Sequence, residues 1–144
     1  ETDAPQFLKE ALKQGNTVQD VLTDNFIKGR TGNETLKIAI KESKKLGLRP
    51  QIYTHPLGLY GHSAGTTFGM WDAQNGIPGS GEHPLYENTA YAIELNAKVY
   101  IDKWQKDIRI MLEEAGFFGP SGFRYVNGRQ TNLILIGQKS KYLE

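Results

Sequence analysis

YTHPLGLYGHSAGTTFG, residues 53–69, is the stretch on which the reading of this chain turns. It holds two histidines and four glycines and no charged side chain. Gly61 and Gly65 flank His62, and glycine lets a backbone approach whatever a neighbouring imidazole touches and allows positive φ. A metal ligand or an acid/base group gains from such a setting. A plain turn uses the same residues, so the segment alone leaves both readings open.

Downstream the pattern changes to period two, the mark of half-buried strands. From Asn88 on, Thr89, Tyr91, Ile93 and Leu95 point one way, and Ala90, Ala92, Glu94 and Asn96 the other. Glu94 shares its face with small residues, which leaves room beside a carboxylate; a solvent-facing edge is the alternative. In residues 107–118 Glu113 falls with Asp107 and Arg109, whereas Glu114 falls in line with Ile108, Ile110 and Leu112. An ionised carboxylate among aliphatics is costly without a partner. A metal, an arginine or a raised pKa resolves that cost at Glu114, and a bulge near Gly116 would exchange the two glutamates. Gly119–Gly122 reads as a turn, Asn127-Gly128 as a hairpin and residues 132–136 (NLILI) as a buried strand, followed by a polar tail over residues 137–144.

Upstream, residues 48–53 read as a short extended piece, and the first 47 residues as three helices. The first starts near Pro5 and ends at Gly15, the second is capped by Thr17, and the third is capped by Asn33 and ends at Gly47. Residues 70–84 form a long Gly/Pro/Asn-rich loop of the kind that carries function or moves. In that loop Trp71 reads as a pocket wall or, equally well, as a cover on the core edge, and His83 reads as exposed. The layout is α+β, one domain over residues 1–144, with a helical layer over 1–47 and a sheet with loops over 48–144.

At 144 residues and a formal charge of +1, composition suits one globular domain. No block of Lys/Arg alternates with aromatics, so no nucleic-acid surface is expected, and Lys41, Lys44 and Lys45 read as a solvated helix face. No apolar run approaches the roughly 20 residues that span a bilayer, so no membrane association is expected. Cysteine is absent, which excludes disulfides, thiolate ligands and a Cys nucleophile. The compartment stays open.

One imidazole and two carboxylates on neighbouring β elements suit Mn, Fe, Co or Zn. Paired ions about 3.5–4 Å apart activate water and clamp a tetrahedral intermediate. Asp20 and Asp24 lie at helical spacing on an exposed face and do not complete such a site.

Together, Gly61-His62-Ser63-Ala64-Gly65, then Ala92-Ile93-Glu94-Leu95-Asn96, then residues 109–115 (RIMLEEA) resemble the C-terminal part of the pita-bread metallopeptidases. That family comprises methionine aminopeptidase, Xaa-Pro aminopeptidase and prolidase. The resemblance implies a pita-bread (creatinase/aminopeptidase-like) fold, with helices packed on a mostly antiparallel curved sheet. It implies His62, Glu94 and Glu114 as metal ligands, two divalent ions (Mn, Co, Zn or Fe), a peptide substrate, and hydrolysis of N-terminal peptide bonds. His62 and Glu114 would then act in catalysis, with His55 assisting there and, with Trp71, in binding substrate. The family takes two further aspartates from strands ahead of its helices, which would precede Glu1. The chain then reads as the C-terminal portion of a larger domain, inactive by itself. An exposed sheet edge would lead it to self-associate or to pair with the missing part. The family's second histidine, a short way past the first, would fall near Phe68-Gly69, where none stands, and Asn96 replaces the usual small residue after the strand glutamate. Those departures support the alternative, a non-catalytic pita-bread module that binds peptide or protein.

Overall fold

The computed structural model describes residues 3–136. Two helices, α1 (Gln6–Asp24) and α2 (Gly32–Lys45), lie on one face of a six-stranded antiparallel sheet. The strands are β1 (Pro50–Ile52), β2 (His55–Gly58), β3 (Gly61–His62), β4 (Thr89–Ile101), β5 (Lys106–Gly119) and β6 (Gly122–Tyr125). The sheet order is β3-β2-β4-β5-β6, with β1 also pairing β4 alongside β2.

The expected first and second helices are one. Gly15 does not end α1, although glycine in a helix interior costs about 0.5–1 kcal/mol relative to alanine. A Cβ at Gly15 would lie 2.8 Å from Ile110 and 2.9 Å from Leu112, so its absence lets the helix settle onto β5. Thr17, expected to cap, lies inside α1 and donates its hydroxyl to the Lys13 carbonyl. Ala11, Leu12, Val18 and Leu22 form the buried stripe.

α2 begins one step earlier than expected. Thr31 caps it, accepting from Glu34 N at 3.2 Å while the Glu34 carboxylate accepts from Thr31 N at 2.9 Å. Asn33, expected to cap, instead clamps the long loop through Ile77, donating to its carbonyl at 3.0 Å and accepting from its amide at 2.8 Å. Gly47, at φ +76°, follows the helix end as expected. The loop is tied down elsewhere too. Gln74 bonds both backbone groups of Ile52, and the Gln51 side chain donates to the Trp71 carbonyl. His83 is exposed.

β4 follows the expected alternation. Tyr91, Ile93, Leu95, Ala97, Val99 and Ile101 are buried under the helices. Its pairing with β5 runs without a bulge from Thr89 opposite Phe118 to Ile101 opposite Lys106. Phe26 stacks on Phe68 at 5.0 Å and meets Tyr91, Phe118 and Phe123 edge-on, closing the core at one end. β5 turns into β6 through Pro120-Ser121, as expected.

Beyond β6 the expectation fails. Asn127-Gly128 makes no hairpin, and residues 132–136 form no strand. The chain leaves the sheet there, with Arg129 paired to Asp20 on α1. Ile134 and Ile136 are 79% and 99% exposed. The polar tail over residues 137–144 lies outside the described residues.

Candidate metal centre

On the sheet face away from the helices, three strands bring His55, Glu94 and Glu113 together. One potential ligand atom from each lies within 4.8 Å of the others. Glu94 and Glu113 stand directly opposite one another across β4 and β5, and His55 is opposite Ala92 across β2 and β4. The break between β1 and β2 fixes this arrangement. There Thr54 Oγ1 donates to the Glu94 carbonyl and accepts from the Glu94 amide, both at 3.1 Å, so the side chain replaces a ladder rung beside the carboxylate.

Of the expected ligands, Glu94 joins the cluster and Glu114 does not. With Glu94 opposite Glu113 in continuous register, Glu114 must point to the helical side. Its buried-side carboxylate needs no ion, since it accepts the Gln130 amide at 2.7 Å. Glu113, expected to be merely solvated, is exposed but shares the face with Glu94. The signal was present in the period-two pattern: the acid on the same non-core parity as Glu94 is Glu113.

The two histidines exchange roles as well. His55 is buried at 8% exposure and belongs to the cluster, whereas His62 is exposed. The β2–β3 hairpin sets His62 opposite Leu57, and its ring stacks on that of His55 with centroids 3.7 Å apart and planes 22° from parallel.

Electrostatics of the cluster fit a cation. His55 Nδ1 lies 2.9 Å from the Pro56 carbonyl. A carbonyl only accepts, so Nδ1 donates in that contact and Nε2 is the nitrogen left for the carboxylates. That Nε2 is buried without a hydrogen-bond partner and faces a Glu94 oxygen at 3.6 Å, too far for a hydrogen bond. Two carboxylates beside that nitrogen call for positive charge, which a proton on the ring or a cation between the groups supplies. A ligand histidine tethered through its other nitrogen to a backbone carbonyl is the usual arrangement at a metal. Burial, and then the Glu113 carboxylate, push the Glu94 carboxyl above its ordinary range, with His55 and His62 opposing.

The cluster opens into a depression of about 590 Å³ walled by Tyr53, Met70, Trp71 and Met111, with His55, His62 and Glu94 among its lining. Trp71 therefore lines the pocket. Asn96 links the site to the neighbouring strand, donating to Gln51 at 2.8 Å and to the Tyr53 hydroxyl at 3.3 Å.

Among solved structures, the chain is similar to the crystal structure of an X-Pro aminopeptidase from Thermotoga maritima MSB8. The TM-score is 0.57 at 19% identity, over 90% of this chain and 34% of that one. The shared feature is the pita-bread fold. This chain thus spans about a third of that protein's length, consistent with a C-terminal part. No family model and no curated protein matches. No helix among the described residues is long and apolar enough to cross a membrane.

Proposed function

We propose that these residues form part of a metal-dependent hydrolase acting on N-terminal peptide bonds, Xaa-Pro aminopeptidase or dipeptidase in kind. His55, Glu94 and Glu113 hold one divalent ion, Mn, Co, Zn or Fe, as a nitrogen-and-oxygen donor set suits. The observation that carries this reading is the buried Nε2 of His55, without a hydrogen-bond partner, gathered with the carboxylates of Glu94 and Glu113. An ion bound there supplies Lewis acidity, polarising the scissile carbonyl and lowering the pKa of water.

The chain's own residues do the remainder. His55 is held in its ligating tautomer by Pro56. His62, exposed and stacked on His55, is placed to donate a hydrogen bond to a carbonyl oxygen held at the cluster. The resemblance calls for a second histidine shortly after the ligand histidine, and His62 follows His55 by seven residues in this sequence. A carboxylate oxygen of Glu94 left free by the ion would accept the proton from water and return it to the leaving amine. Tyr53, Trp71 and Met111 exclude water on the substrate side. A second ion requires more carboxylates than this set, and Asp20 and Asp24 sit on α1 beyond the sheet, so those ligands come from outside the described residues. The chain by itself then lacks turnover, and pairing with the part that supplies them, or self-association, restores a closed site.

Cobalt uptake followed by visible absorption, with hydrolysis of an Xaa-Pro peptide by the protein bearing the remaining ligands, tests the reading. Uptake is expected in the native chain and in His62→Ala but not in His55→Ala, and hydrolysis is expected to fall in both variants. No uptake by the native chain overturns the proposal. Uptake without hydrolysis supports the peptide-binding module instead.

A further inference from the structure

Along β4 and β5 the face that carries Glu94 and Glu113 changes sign. Glu94 stands opposite Glu113, Asn96 opposite Met111, and Lys98 opposite Arg109. Four residues at about 3.4 Å each separate the acidic row from the cationic one by roughly 14 Å. Beside Lys98, Arg49 donates to the Lys98 carbonyl at 3.1 Å and forks onto Asp107 at 2.6 and 3.2 Å. Lys98 Nζ reaches the same carboxylate at 3.1 Å. Arg49 first, and then Lys98, hold the Asp107 carboxyl below its ordinary range.

Lys44, Arg49, Lys98 and Arg109 surround a depression of about 580 Å³. Lys44 and Gln74 are shared with an adjoining depression of about 610 Å³, which adds Lys37, Lys41 and Lys45 of α2. Against these seven cations, the linings contain a single carboxylate, Asp107. The chain's net charge is only +1, so the concentration is local. Leu48, Pro50 and Ile108 contribute aliphatic surface, and no aromatic side chain is present in the lining among the described residues. Without aromatics, base stacking worth about 1–3 kcal/mol per base is missing, which disfavours single-stranded nucleic acid. The Arg49–Asp107 fork is the geometry by which guanidinium recognises a carboxylate.

We propose that this groove binds acidic peptide segments, and that a peptide with its amino end at the His55–Glu94–Glu113 cluster sets a Glu or Asp about four residues downstream against Lys98 and Arg109. The second half rests on the peptidase reading; the first does not. An extended peptide covers the roughly 14 Å between the two rows in about four residues.

Fluorescence anisotropy with C-terminally labelled peptides, identical except for Glu, Gln or Lys at the fourth to sixth positions, tests the groove without metal. The Glu peptide is expected to bind about tenfold more tightly than the Gln peptide, with the preference shrinking at raised salt. Lys98→Glu with Arg109→Glu should abolish the preference, as should Lys41→Glu with Lys45→Glu on the exposed helix face. Glu94→Gln with Glu113→Gln should preserve it. Equal binding of Glu and Gln peptides, or unchanged preference in both reversal variants, overturns the proposal, as does tighter binding of an oligouridylate. A Glu preference in a chain that takes up no cobalt removes the peptidase reading while supporting the groove. In the protein bearing the remaining metal ligands, tighter binding without faster hydrolysis of the Glu peptide overturns the downstream placement.

Discussion

The sharpest consequence of the register is that neighbouring glutamates respond oppositely to substitution. At a free metal concentration of about 100 Kd, an ion bound to the native state alone stabilises it by about 2.7 kcal/mol. Supporting residues at metal sites typically cost 10–100-fold in affinity, and removing a direct ligand costs at least the upper figure. Glu113→Gln therefore leaves a metal stabilisation of only about 0.4 kcal/mol. At about 4 °C per kcal/mol for a domain of this size, the metal-induced rise in Tm falls from ~11 °C to ~2 °C. Without metal the sign reverses. Glu113 lies directly opposite Glu94, and relieving that like-charge pair stabilises by up to about 1 kcal/mol. Glu114→Ala behaves differently in both respects: it leaves the Gln130 amide without its acceptor, costs about 1–2 kcal/mol, and keeps the full metal response. Thermal melts of three proteins, each with and without Mn, decide the matter. If Glu114→Ala loses the metal response while Glu113→Gln keeps it, the assignment of faces is wrong.

The other predictions concern single contacts. The Glu94 carboxyl is raised in the folded state by burial and by Glu113, so the native protein binds more protons than the unfolded chain above the ordinary Glu range. Metal-free stability should then fall as pH rises through that window, and Glu94→Gln should flatten the fall in Tm measured against pH. Cobalt affinity should drop as pH is lowered through the raised Glu94 pKa, because binding displaces that proton; a pH-independent titration would contradict it. Thr31→Ala removes half of the α2 capping box and should cost about 1 kcal/mol by urea denaturation. A Cβ at Gly32 would lie 2.0 Å from the Thr67 carbonyl oxygen, so Gly32→Ala should cost more than about 2 kcal/mol or force the loop away from α2, read by the same denaturation.

How much of this was legible in the chain depends on what each element needs. β4 could be read residue by residue because its core face is apolar throughout while Glu94, Asn96 and Lys98 mark the other, and that asymmetry is recorded in period two. Gly15 could not be read correctly, since the sequence shows a helix breaker and conceals the approach of Ile110 and Leu112 that makes a side chain there unwelcome. Residues 132–136 misled for the converse reason: an apolar run announces a strand, but after β6 the chain leaves the sheet, with Arg129 paired to Asp20 on α1. Local polarity alone did not show which glutamate shares a face with Glu94. Glu114 looked anomalous among aliphatics, yet one backbone amide satisfies it, whereas Glu113 looked ordinary and takes its meaning only from standing across from Glu94.

The histidines teach the same point more strongly. Read as a loop, residues 53–69 offer His62 as the ligand because glycines surround it. Folded as a hairpin, they turn back at Leu59-Tyr60, set Leu57 opposite His62, and carry the second imidazole onto the first. Gly61 makes this possible at φ +98°, a conformation that a side chain would strain. The glycines serve the turn that delivers His62, while His55 is fixed beside Glu94 by its place on β2 against β4. The distance between the two imidazoles is therefore set by turn length rather than by either ring. A residue inserted between Gly58 and Gly61 would leave His55 with its carboxylates and separate His62 from them; on the proposed reading, cobalt uptake would persist while hydrolysis falls.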